Sequence, residues 1–150
     1  MTEINLTQIE ADRLIALEKH FSPENNKLLD YPSLGGKLTV PLFCIDKRES
    51  FHLDITRGYI ALTKSTKQLR GRQVIPLLRL DLGGPPHRNP DDTEVPCPHL
   101  HIYREGFADK WAYPIPDSFK KIDDSYQTLL DFMNYCHITK QPAIQKGLFT

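Results

Sequence analysis

Two segments of strict two-residue alternation constrain this chain most. Leu78-Arg79-Leu80-Asp81-Leu82 and His99-Leu100-His101-Ile102-Tyr103 each divide polar from apolar side chains across a strand. The first puts Arg79 and Asp81 on one face; the second puts both imidazoles and the Tyr103 phenol there. The Gly- and Pro-rich segment Gly83 to Pro98 between them reads as the long loop of an antiparallel pair, and it carries His87 and Arg88. The region Val74 to Pro116 holds three of the six histidines, the single tryptophan and more than half of the prolines. The rest of the chain is read as its scaffold.

That scaffold begins with a capping box, Thr7-Gln8-Ile9-Glu10, followed by Leu14, Leu17 and Phe21, which predicts a helix from about Thr7 to His20. Ser22-Pro23 opens a second short helix through Leu29, and Tyr31 to Gly36 is a loop. From Lys37 the period changes to two. Lys37 to Ile45 contains Pro41 and reads as an edge or bulged strand. Phe51 to Thr56 is a strand with Phe51, Leu53 and Ile55 inward, and after an Arg57-Gly58 turn Tyr59 to Lys64 returns as another. His52 and Asp54 then fall on a solvated sheet surface. Ser65 to Gln73, with Lys64, Lys67, Arg70 and Arg72 gathered around Gln68, reads first as a solvated loop and secondly as a phosphate-contacting segment. Trp111 to Tyr113 forms a last short strand, with Trp111 first of all a core residue. Asp123-Asp124-Ser125 starts a helix that runs to about His137 and carries Tyr126, Leu129, Leu130 and Met133 at helical spacing. The tail Gln141 to Thr150 reads as loosely ordered.

With 150 residues the chain is long enough for one ordinary core, and no internal repeat or linker divides it. The expected fold is a single α+β domain: a helical segment over 1–36, an antiparallel sheet of about four to six strands over 37–116, and a helix over 122–138. Both helices pack on one sheet face, which leaves the other for the polar residues. Nineteen basic and nineteen acidic residues balance, so there is no broad cationic footprint for non-specific nucleic-acid binding, though a local patch is compatible. Cys44, Cys97 and Cys136 are odd in number and never paired as CxxC, which fits reduced thiols, with Cys44 and Cys136 in the core. No apolar run reaches the length of a signal peptide or a membrane span, so the chain is expected to be cytoplasmic, with no membrane partner.

Three chemistries suit the histidine region. In the first, His99, His101 and His87 act as general acid and base in phosphodiester cleavage without metal or other cofactor. Asp81 orients an imidazole, Arg79, Arg104 and the basic segment hold phosphate, and Tyr103 or Trp111 stacks on a base. RNA suits this chemistry because its own 2′-oxygen is the nucleophile. In the second, the residues hold Zn2+, Mn2+ or Fe2+ through His87, His99 and His101, completed by Glu105 or Asp81. The third is structural: hydrogen-bonded histidines beside an Arg79–Asp81 ion pair.

The blocks RLDLGGPPHRNPDD, PHLHIYREGF and KWAYPIP resemble a family of small uncharacterised bacterial, prophage and mobile-element proteins with a core of RLD, GPPH, HxHxYxEG and WA. The likeness spans about Phe51 to Pro116. More remotely, Arg-x-Asp, a Gly/Pro/Asn loop and a His-x-His strand resemble TumE-like toxins of toxin–antitoxin pairs, which are thought to act as RNases. That resemblance implies Arg79, Asp81, His87, His99 and His101 as active-site positions, with Lys67, Gln68 and Arg70 flanking them. The acidic insertion Asp91-Asp92-Thr93-Glu94 departs from an RNA-binding surface. The leading expectation is therefore a toxin-type, metal-independent endoribonuclease with an antitoxin partner. A non-catalytic protein that binds and inhibits a host defence factor comes second, and a metal-dependent hydrolase third.

Overall fold

The computed structural model describes residues 5–22, 28–59 and 64–146. Its elements in chain order are α1 (Gln8–Ala16), β1 (Lys19–His20), β2 (Leu29–Asp30), β3 (Lys37–Phe43), β4 (Ser50–Arg57), β5 (Ser65–Gly71), β6 (Ile75–Leu82), β7 (His87–Arg88), β8 (Glu94–Val95), β9 (His99–Ile102), β10 (Ala112–Pro114), α2 (Ser125–Tyr135), β11 (Ile138–Lys140) and β12 (Ile144–Gln145). The main sheet has eight strands in the order β10-β9-β6-β5-β4-β3-β1-β11, antiparallel except where β1 runs parallel to β11. The class is α+β, and the sheet is wider than the four to six strands expected. The surplus comes from two- and three-residue strands beyond the helix ends, too short to leave a periodic signal.

Register assigns the two faces. One row of cross-strand partners runs Leu38, Ile55, Lys67, Leu80, Leu100, and the row beside it runs Val40, Leu53, Leu69, Leu78, Ile102. Apart from Lys67, these side chains meet Ala11 and Leu14 of α1 and Leu129, Phe132 and Met133 of α2 in one apolar cluster, so both helices cover this face. The opposite face carries Thr39, Asp54, Gln68, Arg79 and His101 in one row, and Thr56, Thr66, Asp81 and His99 in the next.

Several expectations are corrected. Ser65 to Gly71 is a central strand rather than a loop, with Ser65, Lys67, Leu69 and Gly71 inward. Only one of those four is a conventional core side chain, so hydrophobic alternation was hidden. The strand that pairs with β4 is β5, from Ser65, and the strand expected over Tyr59 to Lys64 lies mostly outside the described residues, at 60–63. So does most of the short helix expected from Pro23. Helix α1 stops at Ala16 because Leu17 takes an extended conformation. The threonine half of the capping box forms, Thr7 Oγ1 accepting from Glu10 N at 3.2 Å, while the Glu10 carboxylate turns to Arg13 and Arg72. Those two hydrogen bonds lower the Glu10 carboxyl to about 2.

Helix α2 begins as expected, its cap Asp124 accepting from Gln127 N at 3.0 Å, and ends where His137 adopts a left-handed φ of 60°. Part of the tail is ordered: Ile144 is buried, and β12 pairs with β2. Pro41 lies in β3, whose side away from β4 makes a single bridge, His20 to Phe43, so the missing N–H is tolerated there. Among the described residues no helix is long and apolar enough to cross a membrane.

Candidate functional site

Antiparallel pairing of β6 with β9 sets Asp81 opposite His99 and Arg79 opposite His101 on the polar face. His99 Nε2 and His101 Nε2 lie 3.3 and 3.2 Å from the same atom, Asp81 Oδ2. The Arg79 guanidinium clamps this carboxylate, with Nε 2.9 Å from Oδ1 and Nη2 3.2 Å from Oδ2, and reaches Asp109 Oδ2 through Nη1 at 2.9 Å. Its Nη2 is also 3.0 Å from His101 Nε2. The other ring nitrogens face backbone carbonyls: His101 Nδ1 is 2.8 Å from Asp109 O, and His99 Nδ1 is 3.3 Å from Pro96 O. Burial pushes the Asp81 carboxyl up, but hydrogen bonds from His101 and Arg79 more than reverse this and hold it well below the usual carboxylate range.

Both imidazoles are nearly inaccessible, at 2 % and 1 % exposure. His87, from the overlying loop, is half-buried; its ring centroid is 4.6 Å from that of His101 and 5.9 Å from that of His99, and its Nε2 is 2.8 Å from Lys110 O. A cleft of about 210 Å³ opens beside this cluster, lined by Lys64, Thr66, Asp81, Pro86, His87 and His99 among others. Arg79 and His101 are not in its wall. They act on it through Asp81.

The overlying loop is held by Asn89, a buried residue whose Oδ1 accepts from Ala112 N at 2.8 Å and whose Nδ2 donates to Ala112 O at 3.1 Å. This pair of bonds imitates a strand partner for β10. Asn89→Ala leaves two buried backbone groups unpaired and is expected to lower stability by about 1–3 kcal/mol. Amide exchange should locate the loss in the 83–98 loop and β10; uniform loss across the sheet would refute that local role.

The other expected site residues disperse. Lys67 is on the covered face, fully buried, donating to Ser65 Oγ at 2.6 Å and Ser125 Oγ at 3.0 Å. Tyr103 also joins the core: β9 ends at Ile102, the alternation lapses, and the Tyr103 hydroxyl bonds to the backbone of Leu6. Arg72 pairs with Glu10 and Glu49. Arg70 shares the polar face but is paired with Asp54, which Gln68 and Thr39 also contact. Asp54 is thus buried and ion-paired rather than solvated; burial raises its carboxyl, and the hydrogen bonds from Arg70 and Thr39 bring it below its ordinary value. His52 is half-buried, with Nδ1 enclosed. Arg104 stacks on Trp111, 4.2 Å from the ring centroid, and Phe107 packs edge-on against the same ring, a cluster outside the cleft wall.

Lys64, from the basic run expected to contact phosphate, does line the cleft, whereas Thr66, Asp109 and Asn89 complete the site and were missed as such. Phase was the available signal: had β5 been read as a strand, Thr66 would have fallen on the face of Asp81. Asp109 and Asn89 act through loops, for which alternation has no signal.

No curated protein and no solved structure matches this chain. Residues 6–138 match the model of a family of unknown function, DUF6978. With most of its length covered, the chain belongs to that family.

Proposed function

We propose that this chain cleaves phosphodiester bonds in RNA at the cleft between His87 and His99, as a toxin-type endoribonuclease that needs no metal. The observation that carries this reading is the convergence of two imidazoles, an ionised Asp81 and the Lys64 amine on one small cleft. His99, oriented by Pro96 O at Nδ1, takes on Nε2 the proton of a ribose 2′-hydroxyl as that oxygen attacks the adjacent phosphorus, and Asp81 stabilises the imidazolium that forms. His87 gives a proton to the departing 5′-oxygen, which leaves a 2′,3′-cyclic phosphate and a free 5′-hydroxyl. Lys64 and Thr66 face the phosphate oxygens on which charge accumulates. Arg79 and His101 keep Asp81 ionised and fixed. The acidic stretch 91–94 is on the exposed outer side of the loop, and the cleft wall does not include it. The Arg-x-Asp and His-x-His arrangement of TumE-like toxins supports the same reading, and an antitoxin that covers the cleft would be the matching partner in the cytoplasm.

The test is cleavage of a single-stranded ribo-oligonucleotide by the purified chain, beside the same oligonucleotide with 2′-deoxy sugars. Cyclic-phosphate product is expected from the ribose form alone. His99→Ala and His87→Ala should each lose about 10²- to 10⁴-fold in rate, while Arg72→Ala, outside the site, should retain it. Intact RNA with folded protein would sink the enzymatic reading and favour a non-catalytic protein that binds a host defence factor through the same loop.

A further inference from the structure

The two Nε2 atoms and Asp81 Oδ2 pose an electrostatic problem. In the tautomer that a metal ion requires, the imidazole proton sits at Nδ1 on the backbone carbonyl, and Nε2 turns its lone pair toward the carboxylate oxygen in place of the N–H that otherwise donates to Asp81. Three acceptor atoms then converge, and a cation between them turns repulsion into attraction. The Nη2 of Arg79, 3.0 Å from His101 Nε2 and 3.2 Å from Asp81 Oδ2, supplies part of that charge, but no bond joins it to His99.

The distances also have the dimensions of a coordination shell. In a tetrahedral site with metal–ligand bonds of about 2.0–2.1 Å, ligand atoms stand about 3.3–3.4 Å apart. The two Asp81–histidine edges are 3.3 and 3.2 Å, and the ligating atoms of all three residues lie within 4.8 Å of one another. Backbone carbonyls at both Nδ1 atoms are the supports that metal-bound histidines characteristically have, fixing tautomer and ring plane. His87, the third histidine of the metal reading made from sequence, instead turns Nε2 to Lys110 O, and Asp81 takes that place.

We propose that Asp81, His99 and His101 form a binding site for one divalent transition-metal ion of the zinc class, entered by exchange with the Nη2 of Arg79. Imidazole and a single carboxylate favour zinc over magnesium or calcium, which prefer all-oxygen shells. Arg79 keeps its Nε bond to Oδ1 and its Asp109 bond while Nη2 withdraws. The fourth coordination position faces the cleft, since Asp81 and His99 are in its wall. One consequence rests on the ribonuclease reading: an ion on His99 Nε2 removes the general base, so zinc inhibits cleavage.

The experiment titrates Zn2+ into the metal-stripped full chain against a zinc-chelating dye, and records the visible absorption of the Co2+ form. One-to-one binding and a Co2+ spectrum of tetrahedral intensity are expected. Asp81→Asn, His99→Gln and His101→Gln, each checked for folding by circular dichroism, should weaken binding at least tenfold, while Arg79→Gln should tighten it. No one-to-one binding, or binding that these folded variants leave unchanged, overturns the site. RNA cleavage is measured in the same samples. Zinc bound with no RNA cleaved would leave the metal site standing and remove the ribonuclease; RNA cleaved with no zinc bound would do the reverse. Cleavage stimulated by zinc would overturn the inhibitory exchange.

Discussion

Lys67→Met is expected to stabilise the fold, by several kcal/mol at pH 6 and by little at pH 10. Lys67 is fully buried on the helix-covered face without a carboxylate, its donors met by two serine hydroxyls and its ammonium 5.8 Å from the Tyr31 ring centroid. Burial, helped by repulsion from Arg57, lowers its amine to about 7. The unfolded chain keeps the ordinary value near 10.4. Below pH 7 both states bind the proton, and the native state bears the whole penalty of a buried charge. Between pH 7 and about 10.4 the unfolded state binds more protons than the native one, so this residue's contribution to stability rises with pH at about 1.4 kcal/mol per unit. Cys136 works against it at the alkaline end, because burial pushes its thiol up to about 12 and an unfolded thiolate forms first. The readout is therefore the difference between wild type and variant in urea unfolding at each pH. Of the two hydroxyls left behind, Ser125 Oγ keeps the Tyr31 hydroxyl, 2.5 Å away. An advantage that fails to shrink between pH 6 and pH 10 would refute a lysine buried in this manner.

The second buried lysine should respond with the opposite sign. Lys19 donates to the carbonyls of Ile15, Leu17 and Cys136 at 2.8, 2.7 and 2.9 Å, and its ammonium lies over the Phe51 ring. These carbonyls belong to the C-terminal ends of both helices, where unpaired acceptors and the negative dipole end coincide. Desolvation lowers this amine too, to about 8, so it is still mainly charged at neutral pH. Lys19→Met leaves the carbonyls of Leu17 and Cys136 without this donor and Ile15 O with only His137 Nδ1, 3.2 Å away, and an unsatisfied buried acceptor costs about 1–3 kcal/mol. Relief of the buried charge offsets part of this, and a net loss of about 3 kcal/mol at pH 7 is expected in the same unfolding assay. If Lys19→Met were as stable as wild type, the amine would not be what joins the helix ends.

What could be read from the sequence divides along physical lines. Alternation placed Asp81 with Arg79 and His99 with His101 correctly, because both strands are long enough to hold phase and their apolar partners, Leu80 and Leu100, face a real core. The same rule failed for Tyr103, one residue past the end of β9. It also failed for β5, where a buried lysine and a serine stand in positions that hydrophobicity assigns to solvent. Of the phosphate-binding residues expected in that run, Lys64 lines the cleft, but Lys67 faces the core, Arg72 is tied to Glu10 and Glu49, and Arg70 to Asp54. Charge on a sequence does not say which carboxylate will meet it. Asp109 and Asn89 belong to loops whose geometry depends on contacts across the fold.

The parallel pairings of β1 with β11 and β2 with β12 set an order on the chain's assembly. The meander β3 to β6 joins neighbours in sequence and is free to form as soon as it is made. The segments around Lys19 and Leu29 must wait for partners near Ile138 and Ile144. A nascent chain therefore holds its polar face before its outer strands are closed, and the helix ends are joined only once β11 has been made. Refolding is expected to show a fast phase in the meander and a slower one in the terminal strands, resolved by pulsed amide exchange.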